Sequence, residues 1–499
     1  MTSRSRWLAL GAFGAVMAAA VALRFVDLAT NPGGLYPDEA AEGLDAARLL
    51  HQAGFHADFG VWFPGDGGRE ALFAYVVAAA FHFFGETAFV LRATAAAFGV
   101  AGVALIGLLG RRFGTWTGIV AAAWAAGSLW LICVSRDGMR NTIVPFFGAV
   151  ALIALLHWAG RPGRATALLA GAVTALAAMY TYQPLKLLPV LVVVWLIWLR
   201  HADRARFDDM RRVFAPAALA FLAVAAPMLA VAVTEPVSYI GRAAAVSALN
   251  PAVQADSSLP IHILRTIAMF GYTGDGNGRH DIDSLPLLPI PLVLLGVLGV
   301  RRLWRSRRDP SHALILLSLP VFIIPAMVAT EGYSPHFLRV LGMAAPIGIT
   351  VGLGAVELVE VGRRRWGRGA GSLAGAAVAV TLTAVAVWSG WAYLSRPVAD
   401  RYDAFSYQTV SMAQLAAEHP GSAVIIDDFS AMDVRFLDFD RPPAIVSPGT
   451  KISNPSAYSE VFATSRADLV TALGPGSAAD ATPVAWDPSG APAVWAVVP

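Results

Sequence analysis

Apolar residues fill this chain in long blocks, with the charges gathered between the blocks rather than spread along one helical face. Crossing the hydrocarbon core of a bilayer takes roughly 20 apolar residues in a helix. Blocks of this kind lie at 7–27, 88–110, 114–133, 139–159, 164–182, 184–200, 213–233, 286–300, 312–329, 337–360 and 371–394, which predicts about 11 transmembrane helices. A further run, 69–84, is short and contains Arg69, Glu70 and His82, so it reads as a membrane-dipping or juxtamembrane helix. After residue 395 the pattern changes. Asp, Pro and Ser rise, and a helical stretch from Gln408 to Glu418 precedes Ala423-Val424-Ile425-Ile426-Asp427, which reads as a buried strand. The expectation is an all-α polytopic membrane domain over 1–395 and a small α/β domain over 396–499, with Asp427-Asp428 a solvated strand end.

The arginines orient the helices. Arg111-Arg112, Arg161 with Arg164, Arg200 to Arg212, Arg301 to Arg308 and Arg363 to Arg368 form dense clusters, which belong on the cytoplasmic side. They all fall on the side of Arg4 and Arg6 only if 69–84 does not cross. The N-terminus is then cytoplasmic, and the C-terminal domain extracytoplasmic. The outer surface collects the first loop (28–87), the turns Ser135 to Asn141 and Tyr180 to Lys186, the long loop 234–285, and the turn Thr330 to Arg339. Arg4 and Arg6 before an apolar stretch resemble a cleaved leader, but a retained first helix is favoured because it tethers the first outer loop.

Composition agrees with a lipid-solvated chain: 57% of the 499 residues are hydrophobic and only 14% charged. The net charge of +3 is small, and no basic face suits nucleic acid. A single cysteine, Cys133, excludes an internal disulfide and reads as packing.

Candidate chemistry gathers on the expected outer side. Asp38 and Glu39 stand just past the first span, where acids also suit the first turn of a helix. Glu42, Asp45 and Arg48 on that helix read as facing water. Against the sidedness rule, Arg69, Arg136, Arg140, Lys186 and Arg339 also fall there. A lone interfacial arginine usually snorkels, but several cations sharing one cavity suit a phosphate or diphosphate. The segment from Gly271 to Asp281 has glycines for tight turns and reads as a substrate-contacting loop or an ordinary turn. A divalent metal held by Asp275, Asn277 and Asp281 is the lesser alternative, and the EF-hand pattern fails at His280.

The Asp-Glu pair, then Gly68-Arg69-Glu70, then Ser135-Arg136 at a later outer turn, resembles the GT-C superfamily of membrane glycosyltransferases. Within it the chain looks like the family-39 type: protein O-mannosyltransferases, lipid-A aminoarabinose transferases and bacterial relatives. Tyr180-Thr181-Tyr182-Gln183-Pro184, Gly274-Asp275-Gly276-Asn277 and Pro335-His336-Phe337-Leu338-Arg339 look like signatures of a further bacterial branch. The resemblance covers roughly 1–395 and excludes the tail. It implies a polyprenyl-phosphate sugar as donor, Asp38 as catalytic base and Glu39 as its companion. Arg136 and Arg69 would lie at the donor phosphate, although Glu70-Ala71 replaces the two prolines that follow the corresponding lysine in aminoarabinose transferases. Glu70, Tyr180, Tyr182, Gln183, Asp275, Asn277, Arg279, His280 and His336 are the candidate substrate contacts.

The expected reaction is an inverting transfer at the outer face of the plasma membrane to an acceptor hydroxyl on a glycan, lipid or protein. Arg136, Arg140, Lys186 and Arg339 would stabilise the departing phosphate. No nucleotide fingerprint is present, and no nucleotide is needed. The rival readings are a polytopic transporter or lipid flippase, and a non-catalytic assembly factor. Against transport, the spans show few charges and no evident inverted repeat.

Overall fold

Inside a bilayer a segment must satisfy its own backbone hydrogen bonds, so the apolar blocks fold as helices. The computed structural model describes residues 3–51, 60–63, 68–250, 258–329 and 334–499. Parts of the first outer loop (52–59 and 64–67), of the long outer loop (251–257) and of the expected Thr330 to Arg339 turn (330–333) lie outside the described residues, as does the Arg4 side chain. We label α1 (Ser3–Phe25), α2 (Pro37–His51), α3 (Leu72–Phe84) and α4 (Ala88–Gly110).

Eight described helices are long and apolar enough to cross a membrane, and the chain is a multi-pass membrane protein. Three of the expected spans differ from a straight crossing. The block 114–133 breaks into Thr115–Gly127 and Leu129–Arg136, bent by 59°. The break leaves carbonyls without helical partners, and Arg24 of α1 donates to two of them, Ala125 O at 3.0 Å and Ala126 O at 3.1 Å. The helices Arg164–Tyr180 and Ile290–Arg305 have 17 and 16 residues. At 1.5 Å per residue they reach only about 24–26 Å, short of the roughly 30 Å core.

The run 69–84 also differs. Arg69 and Glu70 do not open a helix. They form strand β2, antiparallel to β1 (Trp62–Phe63), and the helix α3 starts only at Leu72. Its 13 residues are too few to span.

Around the bundle, α1, Phe214–Thr234 and Arg368–Leu394 bury few of their apolar side chains, the surface that lipid covers. The centre is Ala344–Trp366. Its small residues admit neighbouring backbones: a Cβ at Gly354 would lie 1.8 Å from the Leu295 carbonyl oxygen.

The tail folds as a mixed sheet of order β4-β3-β5-β7-β6, with β3 (Ala423–Ile425), β4 (Ala444–Val446), β5 (Val461–Ala463), β6 (Thr482–Trp486) and β7 (Pro492–Val497). β3 runs parallel to both β4 and β5, so it is covered on both faces. Val424 and Ile426 meet Met412 and Ala416 of the Tyr407–Glu418 helix, while Ala423 and Ile425 meet Leu469 and Ala472 of Arg466–Leu473. Asp427 at the strand end accepts from the Phe429 and Ser430 amides, a local turn.

This unit rests on the segment between α1 and α4. Phe436 packs over Gly43 of α2 and stacks on Phe81 of α3, with ring centres 6.1 Å apart. Tyr407 Oη accepts from Gly33 N at 2.9 Å, and Arg401 donates to Asn31 Oδ1 at 2.6 Å.

Candidate active site

Pro37 is the first residue of α2, a position where its missing N–H removes no bond. Asp38, Glu39, Glu42 and Asp45 follow within two turns, and all four are buried. Glu42 and Asp45 therefore do not face water as their sequence position suggested. Buried carboxylates persist when paired, and distant segments supply the cations.

Arg92, inside α4, grips Glu39 with both prongs, Nε–Oε1 at 2.6 Å and Nη2–Oε2 at 2.8 Å. It also donates to the carbonyls of Pro32 and Gly34. Glu39 Oε1 accepts from Gly138 N at 3.0 Å, where a Cβ would stand 2.8 Å from that oxygen. Arg140 bridges Glu42 at 2.6 Å and Glu70 at 3.3 Å, and Lys186 meets the other Glu70 oxygen at 2.9 Å. Arg69 pairs with Asp45 at 2.7 Å. Tyr182 lies under both Arg140 and Arg339, whose guanidinium carbons are 5.6 and 5.9 Å from its ring centre. Arg339 also donates to Gln183 Oε1.

From the long loop, Arg279 covers the ring of Tyr36, two residues before Asp38, at 3.3 Å. Asp275 accepts from Phe337 N at 2.7 Å and lies 3.0 Å from His280 Nδ1 and 4.0 Å from His336 Nδ1.

The electrostatics follow from burial and pairing. Burial pushes the Glu42 carboxyl up despite Arg140 and Arg69, whereas Lys186 and Arg140 together outweigh burial at Glu70 and hold it down. Asp137 is pushed up to about 8 by burial and the nearby Glu39 charge, with Arg279, Arg92 and Asp38 also within reach. Its Oδ1 has no hydrogen-bond partner among the described residues. Burial pushes the His336 imidazole down to about 3.

Three expected contacts lie elsewhere. Arg136 is wholly buried, and its guanidinium donates to the carbonyls of Leu23, Val26 and Asn31 at 3.1, 2.8 and 2.7 Å. The Leu23 and Val26 carbonyls lie at the end of α1 and that of Asn31 in the segment after it, so this side chain is engaged by backbone oxygens. Tyr180 donates to Val224 O at 2.6 Å, directed at the Phe214–Thr234 helix. Asn277 Oδ1 accepts from Arg279 N at 3.0 Å and shapes its own turn. The lesser alternative, a metal set of Asp275, Asn277 and Asp281, differs from the group that gathers among the described residues, in which Asp275 sits with His280 and His336.

Arg92, Asp137 and the full role of Glu42 were missed in the sequence. A charge buried in a span is itself a signal, and Arg92 carried it. For Asp137 the sequence offered only its place in an outer turn beside Arg136.

The fold, a many-spanning helical bundle whose acidic first loop lies under a small C-terminal sheet, is shared with solved structures. No protein-family model matches the chain, and no curated protein matches its sequence. Solved structures do match. ArnT from Cupriavidus metallidurans bound to undecaprenyl phosphate is 15% identical and superposes with a TM-score of 0.59, covering 99% of this chain and 98% of that one. Its apo state gives 14% identity and a TM-score of 0.60 over the same shares, 99% and 98%. The archaeal oligosaccharyltransferase AglB from Archaeoglobus fulgidus, in complex with an inhibitory peptide and a dolichol-phosphate, is 13% identical with a TM-score of 0.57, covering 95% of this chain and 72% of that one. The likeness to ArnT includes the tail, beyond the region where sequence motifs carried a resemblance.

Proposed function

We propose that this protein transfers a sugar from a polyprenyl-phosphate carrier to an acceptor hydroxyl at the extracytoplasmic face of the plasma membrane, as a family-39-like GT-C enzyme. The observation that carries this reading is the convergence of α2 carboxylates with Arg140, Lys186 and Arg339 at one end of a bundle sharing its fold with a structure bound to undecaprenyl phosphate.

In this mechanism Asp38 takes the proton of the acceptor hydroxyl. The oxygen attacks the anomeric carbon from the face opposite the phosphate. The C1–O bond to phosphate breaks, its electron pair leaves with the carrier phosphate, and the configuration inverts. Lys186, Arg140 and Arg339 receive the developing negative charge. Lys186 is the most accessible of these cations, with its side chain 27% exposed. Glu39 acts as a positioning residue, because Arg92 and Gly138 fix it and thereby the first turn of α2. The raised Asp137, among Asp38, Glu39 and Arg279, fits a site where pKa values are set by neighbours. Arg136 and Tyr180 take structural roles, and Arg69 holds Asp45.

The test is transfer by purified protein given a polyprenyl-phosphate hexose or pentose and a hydroxyl acceptor. Sugar should appear on the acceptor with inverted configuration. A protein that moves the lipid between leaflets of a vesicle without breaking the sugar–phosphate bond is a flippase, and that result overturns this reading.

A further inference from the structure

Behind the carboxylate cluster stands a second group that the transfer reaction does not use. Asp275 and His280 come from the long loop, and His336 from the turn that leads into the Ala344–Trp366 helix. One ligand atom from each lies within 4.8 Å of the others, and all three residues are buried. We propose that Asp275, His280 and His336 bind one divalent transition-metal ion, zinc by preference, which clips the long loop to the head of the central helix.

Asp275 Oδ1 accepts from Asn277 N, and Oδ2 from Phe337 N, so the carboxylate is anchored to both segments. A proton shared between Asp275 Oδ2 and His280 Nδ1 at 3.0 Å would serve that pair alone. It would leave His336 Nδ1, 4.0 Å from the same oxygen, buried with no hydrogen-bond partner among the described residues. Native interiors rarely leave such nitrogens unsatisfied. A cation at the centre serves all three side chains at once. Ligands about 2.0–2.1 Å from zinc in a tetrahedral arrangement stand roughly 3.3 Å from one another. The separations of 3.0 and 4.0 Å bracket that value, so small side-chain rotations complete the site.

The donor set selects the ion. Two imidazoles and one carboxylate suit zinc and its first-row neighbours, whereas magnesium and calcium prefer all-oxygen shells. Asp281, next to His280, is buried too, and its Oδ2 has no hydrogen-bond partner among the described residues.

The ion would act by position. Arg279 immediately precedes the ligand His280, and its guanidinium lies over Tyr36. Fixing His280 therefore fixes the cation over Tyr36, two residues before Asp38. The ion touches neither acceptor nor donor in this account, and its presence does not depend on sugar transfer.

The test uses the full-length chain in detergent, purified without a polyhistidine tag or chelator, with metal content read by elemental analysis. About one zinc per chain is expected. After stripping, the wild type should take up one equivalent of Zn2+ in titration calorimetry, and Co2+ should give visible ligand-field absorption. His280→Ala and His336→Ala should each lower metal content well below one per chain. A stripped wild type that binds neither ion overturns the proposal, with no variant needed. So does undiminished metal in the His280→Ala/His336→Ala double variant, which would put the ion elsewhere. Failure of transferase activity with zinc bound would refute the proposed function and leave this site standing.

Discussion

Glu39→Gln and Asp38→Asn should give opposite phenotypes although the residues are adjacent. Glu39 is 0% exposed and Arg92 3%, and the two make a forked pair at 2.6 and 2.8 Å. Removing one partner of such a pair leaves a buried charge, at a typical cost of about 3–5 kcal/mol. Arg92 would keep the carbonyls of Pro32 and Gly34, so the lower end, about 3 kcal/mol, is the expected loss. At roughly 2 °C per kcal/mol for a large domain, the melting midpoint falls by about 6 °C. Asp38→Asn keeps shape and removes the base. It should melt close to the wild type while transfer slows by ~10²–10⁴, equivalent to about 3–5 kcal/mol of barrier. The assay pairs a thermal melt in detergent with initial rates per folded molecule. A Glu39→Gln protein as stable as the wild type would mean the ion pair contributes nothing. An Asp38→Asn protein with the wild-type rate would remove the base from the mechanism.

Three further outcomes follow from the geometry. Lys186→Ala removes a half-buried charge-assisted contact of about 1.5 kcal/mol, so the donor KM should rise about tenfold, and unchanged donor kinetics would exclude Lys186 from the phosphate site. Arg136→Ala strips three carbonyls, at the end of α1 and in the segment after it, of their donor, so folded yield should drop while turnover per folded molecule holds; a KM effect without a yield effect would return this arginine to the donor. Asp433, in the helix laid on α2, has neither oxygen hydrogen-bonded among the described residues and is pushed up to about 9 by burial and by the charges of Glu39 and Asp427. The folded state then keeps a proton that the unfolded chain releases near 3.8, so stability declines as pH climbs from there toward about 9. Asp433→Asn should flatten that decline in melts taken from neutral to mildly alkaline pH, and an unaltered slope would show that other groups set it.

Much of this protein was legible because its solvent is lipid. Apolar blocks of bilayer length have few options besides a helix, and arginine placement made 69–84 the segment that does not cross. Asp38-Glu39 stood out for its position after the first span. The same reasoning could not see the break at Ser128, because it depends on Arg24 arriving from α1 to serve the freed carbonyls. Nor could it tell Arg136 from Arg140. The two are four residues apart and chemically alike, yet one meets backbone oxygens and the other two carboxylates.

By itself, then, the sequence determined that this is a many-spanning membrane protein with an acidic first loop and a small α/β tail, since hydrophobic block length is a local property of the chain. Tertiary structure alone decided which acids are paired, that Arg92 rather than an outer cation holds Glu39, that the tail rests on α2, and that His336 joins Asp275 and His280. Each of these depends on segments tens to hundreds of residues apart in the chain, and pairing over such distances is set by how helices pack, which no single segment encodes.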